Sequence, residues 1–148
     1  MNIPLNDNAP VKSGRKTEIK APADIIWHVL TDIERWPEWQ KSVTKAKPAG
    51  PIGEGTRFTW KAGGLSFKSE IHTCKPVSMF GWTGKTFGAN AIHNWSFKES
   101  NGITTVTVEE CLQGLFPRLF RKFFRRNLDA GMITNLEELK VEAEKRNI

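Results

Sequence analysis

The sequence contains no tyrosine, so no phenolic hydroxyl is available to any site as an acid or hydrogen-bond donor. It has two cysteines, Cys74 and Cys111, without metal-ligand spacing and without a secretory context. They read as free thiols rather than a disulfide framework. No apolar run is long enough to cross a membrane, and the polar amino end, with Pro4 and Pro10, lacks the apolar stretch of a signal peptide. The expectations are a cytoplasmic location and a flexible segment over residues 1–14. Phosphate-binding glycine loops and a nucleophile elbow are missing, as are internal repeats and low-complexity tracts. His28, His72 and His93 stand far apart, with no His-x-His or Glu-x-x-His spacing, so neither a metal site nor a cofactor is expected.

What remains is a chain of 148 residues, 39% apolar, enough for one domain over residues 15–148 with a real core. Its net charge of +6 permits an anionic partner without requiring one. The last third is the longest uniform stretch. After Pro117 it has no proline and one glycine, Gly131, and it ends in the helix-forming run from Asn135 to Lys145. Apolar residues recur at Phe116, Phe120, Phe123, Phe124, Leu128, Met132, Leu136, Leu139 and Ala143, mostly three or four apart, which marks one face of a helix about 42 Å long. The four-residue spacing from Phe120 to Leu136 drifts about 40° per step against the helical repeat, so a bend near Asn127 to Gly131 is expected.

Ahead of that helix the period is different. Ala21-Pro-Ala-Asp24 reads as a helix start with Ile26, Val29, Leu30 and Ile33 on one arc, and Trp36-Pro-Glu-Trp39 as a second short helix or turn. From Val43 to Gln113 apolar and polar residues alternate, and turn signals at Pro48 to Gly55, Gly63-Gly64, Lys75-Pro76, Thr86 to Ala89 and Ser100-Asn-Gly102 cut the region into about six strands. With a first strand near Arg15 to Lys20, the order is strand, two short helices, six strands and a long helix. The fold class is α+β: a curved antiparallel sheet of about seven strands, its apolar face wrapped around the C-terminal helix.

The run Ile19-Lys-Ala-Pro-Ala-Asp-Ile-Ile-Trp-His-Val-Leu-Thr-Asp-Ile-Glu-Arg-Trp-Pro-Glu-Trp39 resembles the opening of the START-like helix-grip (SRPBCC) superfamily, in its polyketide cyclase/dehydrase and lipid transport group. Gly53-Glu-Gly-Thr-Arg-Phe58, Trp82-Thr-Gly84 and the closing Leu136 to Glu144 segment are similar to the same group, so the resemblance spans roughly residues 15 to 145. It implies an apolar cavity between sheet and long helix. It also implies either carriage of a lipid or other hydrophobic ligand, or catalysis of cyclisation, aromatisation or hydration. A mechanism that needs a tyrosine hydroxyl in the pocket has no residue to perform it here.

By strand parity Phe58, Trp60, Phe67, Phe80, Trp82, Trp95 and Phe97 face the long helix, together with Val108, while Phe120 and Phe124 face them from it. These are the expected ligand-binding residues, the alternative being that they fill a solid core. His93 and Glu110 share that inward face. An imidazole and a carboxyl group in an apolar pocket suit proton transfer, so they are the catalytic candidates, although a hydrogen-bonded structural role or a one-residue slip would remove them. Arg118, Arg121, Lys122, Arg125 and Arg126 cover an arc of about 140° opposite the phenylalanines. That arc is either a solvated helix face or a contact for an anionic membrane or acidic partner. No recognition motif accompanies the charge, so nucleic acid is not an expected partner. Two functions follow from the pattern: binding of a hydrophobic small molecule or lipid, or a cyclase/dehydratase-like enzyme using His93 and Glu110 without a metal. A paired His93 and Glu110 facing a common void favours the enzyme; an apolar cavity without them favours the carrier. The sequence fixes no oligomeric state.

Overall fold

In the computed structural model, which describes residues 2–148, the alternating region folds into six strands: β2 (Val43–Pro48), β3 (Arg57–Ala62), β4 (Leu65–Lys75), β5 (Met79–Thr86), β6 (Ala89–Ser100) and β7 (Ile103–Gln113). β1 (Val11–Ile19) joins them at the far edge beside β7, in the order β1-β7-β6-β5-β4-β3-β2, antiparallel throughout. β1 begins four residues before Arg15, because Val11 to Gly14 pair with Leu112 to Glu109 and Val11 is buried there. Bulges at Val43/Lys45 and Ile71/Thr73 interrupt the register, and such insertions bend a strand and increase its twist. The result is a curved sheet with one apolar face.

That face closes on the helices. α1 (Ala23–Thr31) follows Pro22, and its first amide, that of Ala23, donates to Glu99 Oε1 at 2.7 Å, so a carboxylate from β6 meets the positive end of the helix. A 3-10 turn at Ile33–Arg35 leads into α2 (Trp36–Trp39), where Pro37 is tolerated in the first turn. Ile26, Val29, Leu30 and Ile33 are buried against strand residues Phe58, Ile71 and Phe80. Cys111 is buried and Cys74 half-buried; both are free thiols, and burial pushes the Cys74 thiol above its ordinary range.

The C-terminal segment departs from the expected single bent helix. α3 (Leu115–Leu119) stops at Phe120, whose backbone is non-helical (φ −123°, ψ 50°), and α4 then runs without interruption from Arg121 to Arg146. The break therefore falls at Phe120 and not at Asn127 to Gly131. A glycine inside a helix costs only about 1 kcal/mol, less than the continuous packing of Leu128 and Met132 on either side of Gly131 secures. The drift of the apolar stripe shows in burial instead. With Met132 as origin and 100° per residue, Leu136, Leu139 and Ala143 fall within about 60°, Leu128 about 40° to one side, Phe124 about 80°, and Phe123 on the far side. Met132, Leu136, Leu139 and Ala143 are buried, Leu128 and Phe124 are half-buried, and Phe123 and Phe120 are exposed. The row of phenylalanines is thus only partly covered, with Phe120 and Phe123 left in solvent.

One glycine fixes where α3 sits. Gly114 has φ +116°, and a Cβ there would lie 2.8 Å from the Gly88 carbonyl oxygen, in the turn between β5 and β6. The same turn accepts the Phe116 amide at 3.2 Å. Gly114→Ala combines a disfavoured φ with a backbone collision, and the expected cost is about 1–3 kcal/mol in chemical denaturation, with loss of the α3 contact to the turn. Gly50→Ala, where a Cβ meets nothing within 4 Å, is the neutral control.

Candidate functional site

His93 on β6 lies directly opposite Glu110 on β7 and Trp82 on β5 in the strand register. Alternation places all three on the helix-facing side. The imidazole Nδ1 stands 2.7 Å from Glu110 Oε1, with both side chains more than four-fifths buried. The ring is held flat between two indoles, 4.5 Å and 20° from Trp82 and 5.5 Å and 14° from Trp95. Stacking fixes the plane and Glu110 fixes the rotation within it, so Nδ1–H donates to the carboxylate and Nε2 is left as the second ring position. Nε2 is buried and has no hydrogen-bond partner among the described residues.

Two adjoining cavities of about 420 and 270 Å³ lie beside this pair. Both are lined by Trp60, Phe67, Trp82, His93, Glu110, Asn127 and Leu128, which makes those residues a common wall. The larger cavity continues toward Gln40, Met132 and Asn135; the smaller continues toward Leu112, Phe124 and the Thr86–Ala89 turn. Trp60 stacks on Phe67 at 4.5 Å and donates from Nε1 to Ser69 Oγ at 3.0 Å, which holds the indole as a flat panel. At the other end Asn135 Nδ2 donates to Gln40 Oε1 at 2.6 Å, tying α4 to the end of α2. The walls are mainly aromatic and aliphatic, with the His93–Glu110 pair and a few amides as the polar points, the usual make-up of a small-molecule pocket.

The residues singled out by parity divide into three groups. Trp60, Phe67, Trp82, His93, Glu110, Val108 and Phe124 line the cavities, and Trp95 lies one layer behind, stacked on His93. Phe58, Phe80 and Phe97 do not line the cavities: they pack edge-on against Trp36 and Trp27 at 5.6 to 6.1 Å, and Phe58 and Phe80 back Trp82 at 5.9 and 5.6 Å. Phe120 is exposed beside the helix break. The wall also takes Asn127, Leu128, Met132 and Asn135 from the helix, together with Gln40; the sequence pattern marks Leu128 and Met132 as part of the apolar face and gives none of the five a ligand-binding role. The signal was present: Asn127, Gly131 and Asn135 form a polar or small row at four-residue spacing beside the apolar row Leu128, Met132 and Leu136. Small and amide side chains at the edge of a buried stripe leave room and offer hydrogen bonds.

The comparisons with known proteins fit this architecture. Residues 10–144 match the model of the family described as polyketide cyclase/dehydrase and lipid transport. A comparison with curated proteins gave no match. Among solved structures, a hypothetical protein, jhp0584, from Helicobacter pylori superposes with a TM-score of 0.81 at 14% identity, over 94% of this chain and 91% of that one. The Zhui aromatase/cyclase from Streptomyces sp. R1128 gives 0.77 at 16% identity, over 91% and 94%. A START superfamily protein from Mycobacterium smegmatis gives 0.72 at 14% identity, over 92% and 96%. At such identities the structures establish the helix-grip fold alone. No helix among the described residues is long and apolar enough to cross a membrane. On the strength of the family match, which covers nearly the whole chain, this protein belongs to the polyketide cyclase/dehydrase and lipid transport family.

Proposed function

We propose that the paired cavities bind a hydrophobic small molecule or lipid carrying at least one polar oxygen, which meets His93. The observation that carries this is the His93–Glu110 pair, held at 2.7 Å in the mainly apolar wall that both cavities share. A buried polar pair adds little to stability compared with apolar replacements, so a ligand hydroxyl or carbonyl that bonds to it gives a reason for its place in this wall. The aromatic walls supply contact area and weak discrimination, so specificity rests on the polar points: His93, Glu110, Asn127 and the Gln40–Asn135 amide pair.

The pairing of His93 with Glu110 at 2.7 Å on the cavity wall favours a second reading, a cyclase/dehydratase-like reaction. With Nδ1–H donating to Glu110, and once a movement of the wall opens Nε2 to the cavity, Nε2 can take a proton from the carbon next to a ketone while the carboxylate stabilises the imidazolium formed. Returned to a β-hydroxyl as it leaves, that proton completes the loss of one water and the formation of an enone. No metal takes part in this scheme.

Native mass spectrometry of freshly purified protein, against its denatured mass, tests the binding reading. The expected result is a non-covalent adduct of small-molecule size, lost on denaturation and weakened or absent in Leu128→Trp, in which the larger side chain intrudes on the wall that both cavities share. A Leu128→Trp protein that folds normally and still carries the adduct would place the ligand elsewhere. No adduct, with no thermal shift across a panel of lipids and aromatic ketones, would sink the proposal. Appearance of enone absorbance from a β-hydroxy ketone, lost in His93→Phe, would select the enzyme reading.

A further inference from the structure

One end of the molecule presents large apolar side chains to solvent beside a run of positive charge. Phe87, at the tip of the β5–β6 turn, is 85% exposed; Leu115, Leu119, Phe120 and Phe123 of the α3–α4 segment are 56–63% exposed. The turn and the start of the segment are joined, because the Phe116 amide bonds to the Gly88 carbonyl and the Phe116 ring lies 5.6 Å from that of Phe87. From Cys111 to Leu128 the chain has no acidic residue and five basic ones, Arg118, Arg121, Lys122, Arg125 and Arg126, all exposed. Arg125 pairs with Asp129 at 3.6 Å; among the described residues the other four make no ion pair.

Neither feature is explained by the fold. Buried helix residues begin only at Met132, so the first turns of α4 contribute little to the core. Ordinary soluble surfaces scatter exposed phenylalanines singly, whereas grouped apolar residues rimmed by charge mark an interaction site. The shape narrows the class of partner. The phenylalanines project from a turn tip and from helix ends rather than lining a groove, so a rigid protein would need matching pockets for each, while the acyl boundary of a bilayer deforms around them. The exposed cations interleaved with them in the sequence are available to meet lipid phosphates and the negative surface potential.

We propose that this end docks on an anionic membrane surface, with Phe87, Leu119, Phe120 and Phe123 entering the interface and Arg121, Lys122 and Arg126 among the residues facing phosphates. The surface adjoins the smaller cavity, which Thr86, Ala89 and Phe124 line from the same turn and helix. The docking stands on the exposed side chains alone and does not require the cavity to be occupied.

Co-sedimentation of the full chain with phosphatidylcholine vesicles, with and without phosphatidylserine, tests it. Binding is expected only with phosphatidylserine and is expected to weaken as salt shortens the Debye length from about 10 Å at 0.1 M. The triple variant Arg121→Ser/Lys122→Ser/Arg126→Ser should lower partitioning by about a hundredfold, from about a fivefold share per basic residue near such a surface. Phe87→Ser/Phe120→Ser/Phe123→Ser should also release it, and circular dichroism checks that both fold, as exposed sites should allow. Equal binding to neutral vesicles, no binding at low salt, or binding unchanged in either variant would overturn the proposal. So would wild-type binding to soluble poly-glutamate but not to vesicles, which would make the partner an acidic protein. Sedimentation as a dimer that both variants convert to monomer would show that a second copy covers the patch.

Discussion

Trp36→Ala is expected to be the most destabilising single change in the chain, lowering unfolding free energy by about 3–5 kcal/mol in a denaturant titration. Trp36 is almost fully buried, and its ring stands 5.6 Å from Phe58, 5.7 Å from Trp60 and 5.4 Å from Trp82. It therefore joins the solid part of the core to the cavity wall. Its indole N–H donates to the Leu30 carbonyl at 2.9 Å, which also fixes the angle between α1 and α2. The cost should sit at the upper end of the range because the vacated space opens onto a cavity that Trp36 already borders, so neighbouring side chains cannot collapse into it. Set against a total stability of about 5–15 kcal/mol, the loss corresponds to a drop in Tm on the order of 10 °C. Trp36→Phe separates the contributions, keeping most of the ring and orphaning the Leu30 carbonyl, at about 1–3 kcal/mol. A loss below about 1 kcal/mol for Trp36→Ala would mean the ring is not what joins the two regions.

Trp36 also shows what was legible in the sequence and what was not. Strand alternation is a local property, and it placed the seven strands and the inward parity of Trp60, Phe67, Trp82, His93 and Glu110 on the side where the structure has them. Parity could not separate Phe58, Phe80 and Phe97, which pack against Trp27 and Trp36, from Trp60 and Trp82, which border a void, because both sets lie on one face. What divides them is where α1 and α2 lie over the sheet, a long-range outcome. The helix side was harder for another reason. A four-residue apolar repeat looks continuous on paper, yet its drift around the helix carries Phe123 to the far side from Met132, and the break at Phe120 has no proline or glycine to announce it. The basic, aromatic segment was visible as composition; that its phenylalanines are bare was not, since exposure depends on where the sheet ends.

The His93–Glu110 pair is the second place where a large effect is expected, and the informative variant is double. Glu110→Leu alone leaves Nδ1 of a mostly buried imidazole without its acceptor, and His93→Phe alone leaves a carboxyl group facing aromatic rings; each should lower stability by about 1–3 kcal/mol. His93→Phe/Glu110→Leu removes both polar groups, and phenylalanine retains the flat stack between Trp82 and Trp95. The double variant should recover most of the loss, giving a coupling of about 1–3 kcal/mol, because paired apolar replacements of a buried polar pair are often neutral or stabilising. Stability and function then separate. If the pair serves only the fold, the double variant should keep its bound molecule as well as its stability. If the pair meets the ligand, the double variant should be as stable as the wild type and yet lose affinity tenfold or more, or lose turnover altogether. Additive losses, with no coupling, would show that the 2.7 Å contact is not an energetic unit. A stable double variant that no longer holds the ligand would mean that two polar groups are kept in this greasy wall for what they bind.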